Sequence, residues 1–149
     1  MDKVFLFIAT GFGSGWLPKA PGTWGSLVGV LLWLGLHRLT PASYAAALAV
    51  LFVVGTVAAG ATEKILDQGD PGSVVIDEIV GQLIALAFIP AYPLTIAAGF
   101  ALFRFFDILK PFPVGWLDRH IHGGLGIMLD DVAAGVCACL CLHAVLWLL

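Results

Sequence analysis

Two adjacent pairs of carboxylates form the clearest chemical pattern in this chain. Asp77–Glu78 and Asp130–Asp131 each stand at the predicted start of an apolar helix. One carboxylate at such a position is enough to accept free amide hydrogens and to meet the positive end of the helix dipole. A second adjacent carboxylate adds repulsion, which a bound cation would offset. Hard oxygen ligands suit Mg²⁺, so the spacing leaves two interpretations open, helix capping and a magnesium site.

Basic residues accompany these acids. Arg104, Asp107 and Lys110 recur every three residues at the end of another apolar segment. Such spacing is typical of a solvated helix face with salt bridges. Beside the carboxylate pairs, the same cations could instead hold a phosphate group, with Asp107 joining the metal ligands.

A glycine-rich stretch precedes the first long apolar run. Residues 11–26 contain five glycines and two prolines, which predict a structured loop and not a regular helix. Backbone amides in such a loop can bind phosphate, and the hydroxyl groups of Ser14 and Thr23 can assist. The alternative is that Thr23 only caps the next helix.

Composition places these groups in an apolar chain. Of the 149 residues, 60% are hydrophobic and only 11% are charged, against about 25% charged in ordinary soluble domains. We therefore predict a single domain over residues 1–149, an all-α, polytopic helical membrane protein. The net charge of -3 and the lack of a basic stripe argue against a nucleic-acid partner.

The apolar runs predict about five short membrane segments, over residues 27–39, 44–61, 79–89, 94–106 and 132–149. The third and fourth are expected to form a hairpin, although one kinked span over 79–106 is the alternative. With the hairpin, six of the seven Lys and Arg residues lie on one side, and only Arg38 lies on the other. The positive-inside rule makes the polar side cytoplasmic.

Four ordered motifs resemble those of the phosphatidylglycerophosphatase A family. They are GFGSG-x-x-P-x-x-PGT-x-GS at 11–26, IDEIVGQ at 76–82, FR-x-x-D-x-x-KP-x-P at 103–113 and HGG-x-GIM-x-DD-x-x-AG at 122–135. The resemblance implies a Mg²⁺-dependent phosphatase of the bacterial inner membrane. Its active site would face the cytoplasm, and it would remove the terminal phosphate of phosphatidylglycerophosphate to give phosphatidylglycerol.

Roles for individual residues are chemical assignments onto these motifs. The expected metal ligands are Asp77, Glu78, Asp130 and Asp131. The expected catalytic residues are Asp77, Glu78, Asp107 and Asp131, and the expected phosphate-binding residues are Arg104, Lys110, Ser14 and Thr23. The implied partners are the lipid substrate and the bilayer, and the sequence also allows a homo-oligomer. It leaves open whether water or a carboxylate attacks the phosphate.

Two other functions fit an apolar chain with few charges. A small cation transporter would place ionisable groups near the middle of the membrane. A non-catalytic subunit of a membrane complex would have no need of two acidic pairs beside basic residues. The charges of this chain gather at one predicted interface, which favours chemistry on a lipid headgroup.

Overall fold

The computed structural model describes residues 1–148, which form seven α-helices and one short 3₁₀ helix, with no β-strand among them. The predicted all-α class is therefore confirmed for the described chain. The helices are α1 (Asp2–Ala9), α2 (Pro21–Leu36), α3 (Pro41–Leu66), α4 (Ile76–Ala85), α5 (Pro93–Leu109), α6 (Val114–His120) and α7 (Gly123–Leu148). The 3₁₀ helix, Ser14–Trp16, lies between α1 and α2.

Two of the described helices, α3 and α7, are long and apolar enough to cross a membrane. Each has 26 residues, or roughly 39 Å at the usual rise of an α-helix, and a hydrocarbon core is about 30 Å thick. Helix α2 is apolar but shorter, with 16 residues. A membrane protein is the interpretation that these helices favour, and the count of about five segments stays a prediction.

Helix α4 lies at the centre of the fold. Seven of its ten residues are buried, because α2, α3, α5 and α7 all pack against it. Two glycines bring α4 and α7 together: a Cβ atom on Gly135 would lie 2.4 Å from the Gly81 carbonyl oxygen, and one on Gly81 would lie 2.7 Å from the Asp131 carbonyl oxygen. The two backbones therefore touch where the acidic residues of both helices are.

Helices α4 and α5 form the predicted hairpin and not one kinked span. Residues 86–92 separate them, and Thr95 Oγ1 donates a hydrogen bond to the Pro90 carbonyl oxygen over 2.6 Å. The start of α4 and the end of α5 both reach Gly22, since a Cβ atom there would lie 2.3 Å from Glu78 Oε1 and 2.8 Å from Arg104 Nη1. The first acidic pair and the basic motif therefore lie at the same end of the molecule.

The loop predicted over residues 11–26 is wrong in its second half, because α2 begins at Pro21. Proline is favoured in the first turn of a helix, where its missing N–H has no intrahelical partner to lose. Gly25, from the predicted loop, and Gly29, further along the helix, instead allow α2 to pack closely on its neighbours. A Cβ atom on Gly25 would lie 2.7 Å from Val75 Cβ, and one on Gly29 would lie 2.8 Å from Gln82 Cβ.

The predicted helix start at Asp130–Asp131 is also wrong. Helix α7 begins at Gly123, about two turns earlier, so helix capping does not explain this pair. Glycine allows the early start, because a Cβ atom on Gly124 would lie 2.2 Å from the Thr56 carbonyl oxygen of α3. Asp130 and Asp131 consequently lie in the interior of α7, and both are buried.

Candidate active site

A cavity of about 490 Å³ opens among the end of α3, the segment before α4, the ends of α5 and α6, and the start of α7. Most of its polar lining is acidic. The carboxylates around it are Glu63, Asp70, Asp77, Glu78, Asp107, Asp118, Asp130 and Asp131. Lys110 is the one Lys or Arg residue among the lining residues of the described chain. An anionic substrate would therefore meet strong repulsion unless a further cation were bound.

Three of these carboxylates converge. Oxygen atoms of Asp77, Glu78 and Asp131 all lie within 4.8 Å of one another, and we call these residues the carboxylate trio. The first turn of α4 carries Asp77 and Glu78, and the glycine contact between α4 and α7 brings Asp131 against them. Acids more than fifty positions apart in the sequence thus share one small volume.

The protein leaves part of the hydrogen-bonding capacity of the carboxylate trio unused. Asp77 Oδ1, Glu78 Oε2 and Asp131 Oδ2 are buried and have no hydrogen-bond partner within residues 1–148. Burial, followed by the charges of Glu78 and Asp131, raises the pKa of Asp77 well above its ordinary value. Burial, opposed in part by Arg104, raises the pKa of Glu78 to about 7. Clustered carboxylate oxygens without donors are a donor set that fits a divalent cation such as Mg²⁺.

Arg104 and Asp107 lie beside the carboxylate trio on the last turns of α5. The Arg104 Nη1 group donates to Asp107 Oδ2, and both side chains are largely buried. Arg104 Nε is buried without a partner in the described chain, so the guanidinium retains a free donor. Asp107 is close enough to Glu78 for its charge to raise the pKa of that residue.

Lys110 lines the cavity and is bonded to two carboxylates, and its predicted role in phosphate binding stays a prediction. Its Nζ atom donates to Asp118 Oδ1 over 2.5 Å and to Asp130 Oδ2 over 2.7 Å. Burial by itself would lower the pKa of Lys110, but the hydrogen bonds and charges of these two carboxylates raise it overall. Two of its three ammonium hydrogens are thereby engaged.

The structure divides the predicted site residues into two groups. It brings together Asp77, Glu78, Asp107 and Asp131, with Arg104 beside them. The other predicted residues lie outside this group, although Asp130 and Lys110 line the same cavity. Asp130 is bonded to Lys110 and is not part of the trio. Ser14 and Thr23 do not line the cavity, and Ser14 Oγ donates to the Thr10 carbonyl oxygen over 3.3 Å.

Sequence reasoning missed Asp118, Glu63 and Asp70. Asp118 bonds to Lys110 across the turn between α5 and α6. Glu63 Oε1 accepts a hydrogen bond from the Asp70 amide over 3.1 Å, which ties the end of α3 to the segment before α4. The sequence does offer one signal for Asp118, since it lies in the polar stretch around the basic motif.

Comparisons with known proteins agree on one family. The sequence profile described as Phosphatidylglycerophosphatase A matches residues 7–146. A Haemophilus influenzae protein of that name is 44% identical over 95% of this chain and 89% of its own length. An Escherichia coli protein of the same name is 39% identical over 91% of this chain and 80% of its own.

A third relative carries a different name. The Bacteroides thetaiotaomicron protein "Putative phosphatidylinositol-3-phosphatase" is 41% identical over 97% of this chain and 94% of its own length. No solved structure matches the chain at a significant level.

Proposed function

The chain belongs to the phosphatidylglycerophosphatase A family and is a phosphatase, and we propose that it hydrolyses the terminal phosphate of phosphatidylglycerophosphate in a Mg²⁺-dependent reaction. The products are phosphatidylglycerol and inorganic phosphate. The bilayer would hold the acyl chains of the substrate while its headgroup enters the cavity.

One observation carries the proposal for a metal. The carboxylate trio gathers three anionic groups within 4.8 Å, and each of the three has a buried oxygen without a donor. Burial of unpaired charge is costly, and a divalent cation would offset that cost. When bound there, Mg²⁺ would supply the positive charge that a phosphate monoester dianion needs before a nucleophile can approach it.

The neighbouring side chains can supply the remaining functions. Arg104 does not line the cavity, so its guanidinium, whose Nε group has no partner among residues 1–148, would act on the phosphate through its positive charge beside the carboxylate trio. Asp107, which holds the other end of the guanidinium, would accept the proton of the attacking water. The bond between phosphorus and the glycerol oxygen then breaks, that oxygen takes up a proton from solvent water, and Asp107 returns its proton to solvent. Direct attack by a carboxylate, followed by hydrolysis, is the alternative route.

The location that we propose is the bacterial inner membrane, with several helices crossing it and the cavity on the cytoplasmic side. Its support is the pair of long apolar helices and the gathering of Lys3, Lys19, Lys64, Arg104, Lys110 and Arg119 on one predicted face. Phosphatidylglycerol made there would enter the leaflet in which its precursor lies.

Phosphate release by the purified protein in detergent tests this function. We expect release from phosphatidylglycerophosphate with Mg²⁺, loss of release with EDTA, and a fall of at least about 100-fold for Asp77→Asn and Asp131→Asn. Asp67→Asn is the matched control, since Asp67 is exposed at the end of α3. Full activity in EDTA, or in both trio variants, would refute the metal mechanism.

The name of the third relative adds a second substrate to the same assay. Phosphatidylinositol 3-phosphate also carries a phosphate monoester on a hydroxylated headgroup, so the same chemistry could act on it. Hydrolysis of the two lipids at equal concentration gives a ratio of kcat/KM, and we expect this ratio to favour phosphatidylglycerophosphate. The opposite ratio would assign the chain to the second substrate.

A further inference from the structure

We infer that Asp118 is a positioning residue, which holds the Lys110 ammonium at the rim of the cavity and so keeps it out of the cation position within the carboxylate trio. This inference rests on the proposed metal site. It assigns to Asp118 a role in metal binding that operates through a second side chain, without contact between Asp118 and the metal.

The geometry around Lys110 is that of a side chain held from two sides. Asp118 Oδ1 accepts from Nζ at 2.5 Å and Asp130 Oδ2 accepts at 2.7 Å. Lys110 ends α5 in the left-handed region, with φ 45°, and a Cβ atom on Gly115 would lie 2.4 Å from its carbonyl oxygen. The backbone that carries the side chain is therefore fixed, and within residues 1–148 the ammonium is held by the two carboxylates alone.

Electrostatics explain why this anchoring matters. A lysine side chain is a mobile point charge on a flexible four-carbon stem. Lys110 and the three carboxylates line the same cavity, so a released ammonium would be drawn toward the carboxylate trio. Asp130 alone would hold the ammonium beside α7, the helix that also carries Asp131 of the trio. Asp118 lies on α6, on a different element from both, and so draws the ammonium away.

Without Asp118, the ammonium would compete with the divalent cation for the same oxygens. Removing a residue that orients groups around a metal typically weakens metal affinity by about 10- to 100-fold. We expect an increase of about tenfold in the Mn²⁺ dissociation constant for Asp118→Asn, measured by electron paramagnetic resonance on purified protein without substrate. Asp118→Glu should retain the wild-type value, and so should Asp67→Asn as the charge-matched control.

A double-mutant cycle separates competition from simple loss of negative charge. If Lys110 competes only when released, Lys110→Met should strengthen Mn²⁺ binding about tenfold in the Asp118→Asn background. In the wild-type background the gain should stay within about threefold, since the ammonium is already held at the rim. Equal gains in Mn²⁺ affinity in the two backgrounds would mean that Lys110 acts on the metal only through its charge at a distance. That result would overturn the inference.

Two further results keep the outcomes distinct. Wild-type protein that binds no Mn²⁺ would refute the proposed metal site itself, before any variant is compared. Wild-type binding with an unchanged dissociation constant in Asp118→Asn would refute only the role of Asp118. Elution on size exclusion verifies the fold of each variant. Asp118→Ser, measured by the same criterion, replaces Asp118→Asn if that variant does not fold.

Discussion

Replacing Gly22 by alanine should slow the reaction about 100-fold while leaving the enzyme folded. A Cβ atom at this position would lie 2.3 Å from Glu78 Oε1 and 2.8 Å from Arg104 Nη1, whereas ordinary van der Waals contact begins at 3.4 Å. The Glu78 carboxylate must then retreat by about 1.1 Å. A misplacement of about 1 Å near the reacting atoms can cost about 100-fold in rate, which is about 2.7 kcal/mol of transition-state stabilisation.

The stability of Gly22→Ala should change little. Both contacting atoms are ends of flexible side chains, and alanine is a better helix former than glycine by up to about 1 kcal/mol. The assay is therefore kcat for phosphate release, together with the melting temperature of the purified protein. Gly35→Ala is the matched control, because Gly35 lies on the same helix and nothing lies within 4 Å of an added Cβ atom.

The two variants should differ in rate and not in stability. Gly35→Ala should keep wild-type kcat, and Gly22→Ala should lose about two orders of magnitude at a similar melting temperature. Wild-type kcat in Gly22→Ala would show that Glu78 and Arg104 can both move without consequence for the reaction. The site described above would then be wrong in its central residues.

Three further outcomes follow from buried charge. In EDTA the folded protein holds the Glu78 proton more tightly than the unfolded chain does, because the pKa is raised from 4.5 to about 7. The stability that Glu78 contributes is therefore full below pH 4.5 and is lost as the pH rises through 7, a loss of about 3 kcal/mol in the free energy of unfolding. A series of denaturant titrations from pH 4.5 to 8 measures this loss, and added Mg²⁺ should restore stability at pH 8. Asp131→Asn should raise the melting temperature in EDTA while activity is lost, because one buried charge is removed from a repulsive cluster; a lower melting temperature would contradict this. Lys110→Met should lower the free energy of unfolding by about 1–2 kcal/mol, because Asp130 and Asp118 lose their shared donor, and no change in chemical denaturation would contradict that expectation.

The outline of the fold and the main acidic residues could be predicted from the sequence. The breaks at Pro90 and Pro93 interrupt an apolar run, and the hairpin there places Glu78 and Arg104 at one end. The first acidic pair was located correctly at the start of a helix, since Asp77 and Glu78 lie in the first turn of α4. Hydrophobic periodicity and helix-breaking residues such as proline and glycine predict elements of this kind well.

Contacts between distant segments could not be predicted in the same way. The glycines of residues 11–26 predict a loop, because a sequence does not distinguish glycine used for turning from glycine used for close packing. The side chains of adjacent residues on a helix point about 100° apart. Because α7 contains both Asp130 and Asp131, their carboxylates therefore face different neighbours. The partnership of Lys110 with Asp118 depends on how α6 folds back, which no local pattern specifies.

The backbone contact between Gly81 and Gly135 has a consequence for how this protein can vary. The spacing of the carboxylates is set where two main chains touch, so it does not depend on the size of the surrounding apolar side chains. Residues on the outer faces, such as Leu31, Val53 and Leu140, are exposed and can be exchanged for other lipophilic residues without altering that spacing. The exterior is therefore free to drift or to be redesigned for a different bilayer or detergent, while any side chain at either glycine would force the two catalytic helices apart.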